Sequence, residues 1–508
     1  MSADAGLEAR GLAGIRGDLA RRLRHYGSDW RDGLHPKVAA AGVFLFFACL
    51  APAIAFGGLM SVLTNGAIGA IEMIAATAAC GIVYAIVSGQ PLTILGGTGP
   101  VLVFTGILYD GCTRLGVPFL PTYAWVGLWT GLFVVLLGLT GASRLVGMLT
   151  RFTDETFAAL ISLIFIVQAV TNILRAFPAT HVADDSALFG VILAVGTFGV
   201  ARSLARLRHR PYLRRGLREL LADFGPAIAV VLMILVRRLL PTVDIAPLAV
   251  PESFATTSGR PWLIPLGAVP TWVIFASAIP ALLVSILVFL DQNVTVRIVQ
   301  SAENKLQKGS TYHWDLVVVG VLLGACSLLG LPWLVAATVR SVNHVRELST
   351  TEGSGESSRV GSVLENRVSP LMVHALIAVS LLLTGVLREI PMPVLYGLFL
   401  YMGITSLRGN QFFERLRLWL TDPSLFPAVH YVRRVPKAEI HKFTAVQAAC
   451  LIVLWIVKSS VVGILFPIFI ALLVPVRALV GRFIAREHLE VLDAEEAPSD
   501  VEDEFVGP

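Results

Sequence analysis

The chain has 508 residues, of which 55% are hydrophobic and only 15% charged, with a mean hydropathy of +0.75. A water-soluble protein of this length would carry far more surface charge, so the composition describes a membrane protein. The net charge of +5 is dispersed between apolar runs, which argues against nucleic acid as a partner.

Residues 1–36 are polar and basic, with no apolar signal core before Val38, so insertion is expected to begin with the first membrane helix. "RGDLARRLRHYGSDW" is expected to form a basic amphipathic helix on the inner membrane surface. Apolar runs follow at residues 38–60, 67–88, 90–109, 123–139, 157–177, 188–200, 220–236 and 268–290. They continue at 313–330, 331–345, 371–387, 394–407, 443–457 and 461–480. That gives an all-α polytopic membrane protein of about fourteen segments. The arginine-dense loop "RSLARLRHRPYLRRGLR" and the basic "RRVPKAEIHK" are expected inside, with both termini cytoplasmic. Residues 241–261, with Arg260 alone positive, are expected outside. "STTEGSGESSRVGS" is Gly/Ser-rich and expected to be mobile, and "EEAPSDVEDEF" belongs to an acidic cytoplasmic tail. The expected organisation is a short N-terminus (1–36), two halves (37–245 and 246–480) and a tail (481–508).

Two segments are interrupted. Residues 73–109 carry no charge, yet Gly89-Gln90-Pro91 and "GGTGP" would break any single helix. The pattern predicts a helix to Ser88, an extended piece at 92–95 and a half-helix from about Gly99 to Tyr109. In the second half Gly330-Leu331-Pro332 ends one helix, "WLVA" is extended, and a half-helix starts near Ala336. "FACLAPAIAFGGL" and "FASAIPALLVSIL" echo each other at the start of the halves. Seven segments per half would give the repeats opposite orientations. Broken segments at matching places point to a transport site. Facing half-helix N-termini would offer free N–H groups and partial positive charge, a site for an anion. Arg340, in the first turns of the second half-helix, would add a full positive charge there. The competing reading makes 316–339 one straight helix with Arg340 at its end.

The stretches "LAPAIAFGGL", "GQPLTILGGTGPVLVF", "RFTDETFAALISLIFI" and "PALLVSILVFLDQNVT" resemble the bicarbonate transporter family, solute carrier family 4. So do "KLQKGSTYHWDLVVVGVLLGACSLLGLPWLVAATVRSVNHV", "VLYGLFLYMGITSLRGNQFFERL" and "LLVPVR". The resemblance covers the chain from Pro36 to about Arg477. It implies a uracil-permease-like fold: two inverted seven-segment repeats, a core and a gate domain, half-helices in segments three and ten, and usually a homodimer. It implies carriage of bicarbonate or carbonate, exchanged for chloride or coupled to sodium, with borate in one branch. By position, Arg340 matches the arginine of the chloride/bicarbonate exchangers. Asp291 matches the acidic residue of the eighth segment, and "LDQNVT" with Thr295 has the sodium-coupled flavour. Thr98 matches a residue lining the ion site of sodium-coupled members. The large cytoplasmic N-terminal domain of animal members is expected to be absent, and Thr105 stands where they usually have glutamate.

The expected substrate site is therefore Arg340, Thr98, Gly99, Ala337, Thr338 and Val339. The coupling-ion or proton site is Asp291, Thr295 and Thr98, with sodium the only metal considered and no cofactor. Asp291 would pair with Arg340, bind a proton or help hold sodium, unless it merely ends its helix. Sodium beside Arg340 would be repelled by about 4 kcal/mol at about 4 Å and an effective dielectric near 20. Exchange is therefore preferred over sodium symport and borate export, with an anion channel as the reading from a different class. No Ser-His-Asp grouping, ligand cluster or phosphate loop suggests an enzyme. Glu72 is expected to be structural, His344 a packed helix histidine, "DET" at Asp154 a helix start, and Trp30, Trp125, Trp129 and Trp272 interfacial anchors. Cys49, Cys80, Cys112, Cys326 and Cys450 read as small core residues. The compact, alanine- and arginine-rich chain suggests a plasma membrane protein of the bacterial inner membrane.

Overall fold

The computed structural model describes residues 12–142, 150–177, 184–252, 254–301, 304–352, 359–407, 409–422, 425–427, 429–460 and 463–494. Each apolar run of the sequence carries helix. Among the described residues nine helices are long and apolar enough to cross a membrane. A pair of helices, Gly216–Ala222 and Gly225–Leu239, is apolar enough only when taken together and is bent by 67° at the break. Tyr312–Leu328 and Met392–Ser406 are apolar but shorter. The two interrupted runs end in helices Gly99–Leu115 and Thr338–Leu348.

The chain divides into two compact units, Met1–Val146 with Ala169–Tyr401, and Gly147–Gln168 with Met402–Pro508. In the first, helix Phe119–Thr140 packs on Tyr312–Leu328 through glycines. A methyl group at Gly131 would lie 2.6 Å from the Gly320 carbonyl oxygen, and one at Gly320 would lie 2.9 Å from that of Gly131. Small residues let two helix backbones approach in an apolar medium, where packing rather than water expulsion drives association. Trp125 and Trp129 donate from Nε1 to the carbonyls of Leu266 (3.0 Å) and Ile274 (2.9 Å). They fasten this pair to the segment before the Asp291 helix, beyond the anchoring expected of them. Trp272, in contrast, is exposed.

In the second unit Arg415 is fully buried. Its Nη2 donates to Glu155 Oε2 (2.7 Å) and Gln447 Oε1 (2.8 Å), and its guanidinium lies over the Phe443 ring. The "DET" stretch lies within the first turns of helix Arg151–Leu174, as expected of a helix start.

The N-terminal stretch is helical over Leu12–Leu23 and Tyr26–Arg31; Asp18, Arg22 and Asp29 turn into the protein, while Arg16, Arg24 and Arg31 stay exposed. Asp18 Oδ2 accepts from the amides of His313 (2.9 Å) and Trp314 (3.1 Å). Arg22 reaches Asp29 (2.8 Å) and Glu365 (3.3 Å), while Arg367 bonds Asp29 (3.0 Å) and the carbonyls of Ala85, Ile86 and Ser88. Apart from the Arg22–Asp29 pair, these partners lie far along the chain, so a local amphipathic pattern cannot reveal them. At the flanks of the Gly/Ser-rich stretch, Ser349–Glu352 pairs antiparallel with Arg359–Val363. The middle of that stretch and the acidic "EEAPSDVEDEF" lie outside the described residues.

Candidate functional site

The helix Ala70–Val87 stops because Gly89 and Pro91 follow, and its continuation is held by a carboxylate. Asp315 accepts from the amides of Gly89 (2.6 Å) and Gln90 (3.2 Å) and from the Thr311 hydroxyl (2.9 Å). The chain then runs extended into β1 (Leu95–Gly96). The second interruption does the same after Gly330-Leu331-Pro332, ending in β2 (Val335–Ala336). The two strands pair antiparallel, Leu95 with Ala336 and Gly96 with Val335. Ala337 N donates to Ile94 O (2.8 Å), and Ile94 N to Ser341 Oγ (3.0 Å). Polar backbone survives at membrane depth only when paired in this way or facing a cavity.

Helices Gly99–Leu115 and Thr338–Leu348 begin directly after the strands. Their starts fall at Gly99, as expected, and two residues beyond Ala336. The first runs to Leu115, past the expected Tyr109. Pro100 suits a first helical turn, where its missing N–H costs no bond. Neither helix start is capped by a side chain: Thr98 and Ala337 hold the N-cap positions without a side-chain cap bond. The first-turn N–H groups therefore keep their positive potential.

One helix serves both starts. Asp291 lies within Ala278–Val299, not at its end. Asp291 Oδ2 accepts from the Thr98 hydroxyl (2.8 Å). One residue on, Gln292 Oε1 accepts from Ala336 N (2.9 Å). One turn on, the Thr295 hydroxyl lies 2.6 Å from that of Thr338 and 3.3 Å from the Ala336 carbonyl. Spacing of three and four residues places these groups on one helical face.

Arg340 sits in the first turn of Thr338–Leu348 and is 7% exposed. Its Nη1 has no hydrogen-bond partner among the described residues. It lies against Gly96, where an added methyl group would come within 1.9 Å. Among the described residues no carboxylate lies within salt-bridge distance of it. The possible Asp291–Arg340 pair is thus not formed; Asp291 takes Thr98 instead. The straight-helix reading of 316–339 fails as well, because Tyr312–Leu328 ends before the break.

Gly99, Ala337, Thr338 and Val339 surround the two helix starts, Val339 being 74% exposed. Thr105 back-bonds to Val101 O (2.9 Å). Glu72 accepts from the Gly69 and Thr257 amides, a structural cap as expected. His344 is buried with both ring nitrogens engaged, by Leu92 O (2.9 Å) and Ser369 Oγ (2.7 Å), which suits a packed histidine. Sequence reasoning missed Gly96, Gln292 and Ser341. The paired glycines of "GGTGP" were the available signal for Gly96; nothing local marked the other two.

A model described as the HCO3- transporter integral membrane domain matches residues 10–184 and 178–497. The chain belongs to the bicarbonate transporter family. Band 3 anion transport protein of Rattus norvegicus is 38% identical over 512 residues, covering 96% of this chain and 55% of that protein. Band 3 of Homo sapiens is 38% identical over 520 residues (97% and 57%). Anion exchange protein 2 of Rattus norvegicus is 37% identical over 538 residues (96% and 44%). The chain thus spans about half the length of these relatives. Among solved structures, the transmembrane domain of a cyanobacterium bicarbonate transporter, BicA, superposes with a TM-score of 0.59 at 15% identity, over 83% of this chain and 98% of that one. Murine Solute Carrier 26 family member A9, in the inward-facing state, gives 0.59 at 14% identity, over 88% and 68%. These two share the fold. This family member is a multi-pass membrane protein with the helical architecture of anion transporters.

Proposed function

We propose that this chain is a secondary transporter that exchanges chloride for bicarbonate by alternating access. The observation that carries the reading is Arg340: a buried guanidinium with no carboxylate partner among the described residues, beside two uncapped helix N-termini. A monovalent anion there meets one formal charge and two partial ones, and needs no co-bound cation for neutrality. Thr98, Gly99, Ala337, Thr338 and Val339 frame that anion, mostly through backbone. The names of the relatives, an anion transport protein and an anion exchange protein, agree with it. The same reading makes residues 37–245 and 246–480 two inverted repeats, which the antiparallel β1–β2 pair supports. It places the protein as a homodimer in a plasma membrane with both termini cytoplasmic, and gives it no enzymatic role.

One observation favours a second reading, sodium-coupled bicarbonate symport. Asp291 is held by Thr98 apart from Arg340, and the Thr295 and Thr338 hydroxyls lie nearby on the same face, so several oxygens stand ready for a hard cation. Purified protein in liposomes with an internal pH dye separates the two. Under exchange, bicarbonate flux requires chloride on the opposite side and ignores sodium. A requirement for sodium on the same side, without chloride, would replace exchange by symport.

A further inference from the structure

Residues 202–218, from the last turns of helix Asp184–Arg206 into the loop that leads to Gly225–Leu239, carry seven arginines; the two carboxylates of that loop, Glu219 and Asp223, follow them. Such a loop orients a membrane protein, and orientation alone would account for the charge. It does not account for what lies between the arginines. Tyr212 (66% exposed), Leu213, Leu217 and Leu220 all stand out from the protein. Arg206, Arg210 and Arg214 are exposed among them, and no carboxylate pairs with these three among the described residues. Arg218 Nη1 donates to the Arg210 carbonyl (2.7 Å), which closes the loop onto the short helix Arg215–Asp223.

We propose that this loop lies in the headgroup layer of the adjoining leaflet and binds anionic phospholipid. The apolar side chains enter the acyl boundary, and the Tyr212 ring takes the headgroup level, where amphipathic rings collect. The guanidinium groups meet lipid phosphates through paired N–H donors, a geometry that lysine cannot match. The loop begins where one spanning helix ends and leads into the next, so its arginines stand at headgroup height. Water would leave four large apolar side chains exposed; a zwitterionic surface would leave the arginines without counter-charge. An anionic leaflet satisfies both.

The test uses the full-length protein in phosphatidylcholine nanodiscs with increasing phosphatidylglycerol, lipid retention being read by native mass spectrometry. Wild type retains phosphatidylglycerol selectively, less so as salt rises, and millimolar inorganic phosphate does not displace it. The triple substitution Arg206→Gln, Arg210→Gln, Arg214→Gln lowers that retention on the order of a hundredfold, from the usual contribution of a basic residue near an anionic surface. Arg206→Lys, Arg210→Lys, Arg214→Lys keeps the charge and the orientation signal, and its retention falls between wild type and the glutamine variant because the paired donors are lost. If the glutamine variant does not insert, the salt dependence and Leu217→Ser with Leu220→Ser carry the test. Equal retention in the charge-free variant, salt-independent retention, or displacement by free phosphate would overturn the proposal.

Discussion

The Thr98 hydroxyl donates to Asp291 Oδ2 at 2.8 Å and leaves its own helix uncapped. A threonine at an N-cap ordinarily turns its oxygen back on the helix amides. Here its one proton goes to a carboxylate on another helix, and the amides keep their potential for an anion. A hydrogen bond to a charged group contributes about 1.5–3 kcal/mol. Thr98→Val should therefore disturb Asp291 while sparing Arg340, and Thr98→Ser should behave as wild type. The measurement is chloride and bicarbonate flux in liposomes against pH and sodium. A Thr98→Val profile identical to wild type would remove Asp291 from the transport cycle.

Gly96 faces Arg340 so closely that a methyl group would overlap Nη1 at 1.9 Å. The guanidinium must then move, while the strand, paired through its backbone, has little reason to. Gly96→Ala is expected to weaken anion affinity at least about tenfold, or about 1.4 kcal/mol, and leave the thermal midpoint in detergent near wild type. Arg340→Ala should abolish chloride-dependent flux with the fold intact. If Gly96→Ala binds anion as wild type does, the guanidinium is not held where the anion needs it.

Much of this site is legible in the sequence. Glycine and proline break helices for local steric reasons, so the interruptions at Gly89-Gln90-Pro91 and Gly330-Leu331-Pro332 were readable from residue type alone. The place of each half-helix start followed within two residues. What could not be read was pairing across hundreds of positions. That Asp291 would choose Thr98 over Arg340, or that Gln292 would hold the Ala336 amide, depends on how helices rotate against one another. The inward pairing of Arg22 was hidden for the same reason: it depends on Glu365, hundreds of residues away, being placed beside it.

Asp18 supplies a pH-dependent contact between the N-terminal helix Leu12–Leu23 and the start of Tyr312–Leu328. Burial raises its carboxyl from the ordinary 3.8 to about 7, although the amides of Trp314 and His313 and the Arg21 guanidinium pull the other way. The folded chain thus holds a proton, between about pH 4 and 7, that the unfolded chain has released. Stability contributed by this group is present at the acid end and is lost as pH rises through that window. Three pH units correspond to about 4 kcal/mol as an upper figure. Wild type in detergent should melt lower at pH 8 than at pH 5.5, and Asp18→Asn should show a smaller difference between the two. Equal slopes for both proteins would mean that Asp18 is charged throughout and well paired.

Gln292 tests whether β2 must be held for transport. Its Oε1 is the acceptor for Ala336 N, and its Nε2 lies 3.4 Å from the Tyr84 hydroxyl. Gln292→Leu preserves volume and removes the acceptor, stranding a buried amide at a cost of about 1–3 kcal/mol. Ala336 precedes the helix that carries Arg340 by only one residue, Ala337, so the loss should reach the guanidinium through the backbone. Transport affinity for bicarbonate and chloride should fall together, by the same factor for each, because β2 positions the charge and selects neither anion. Gln292→Glu keeps an acceptor but brings a negative charge toward Arg340, and should weaken both anions further. If Gln292→Leu lowers one affinity alone, Gln292 touches the substrate and belongs to the site itself.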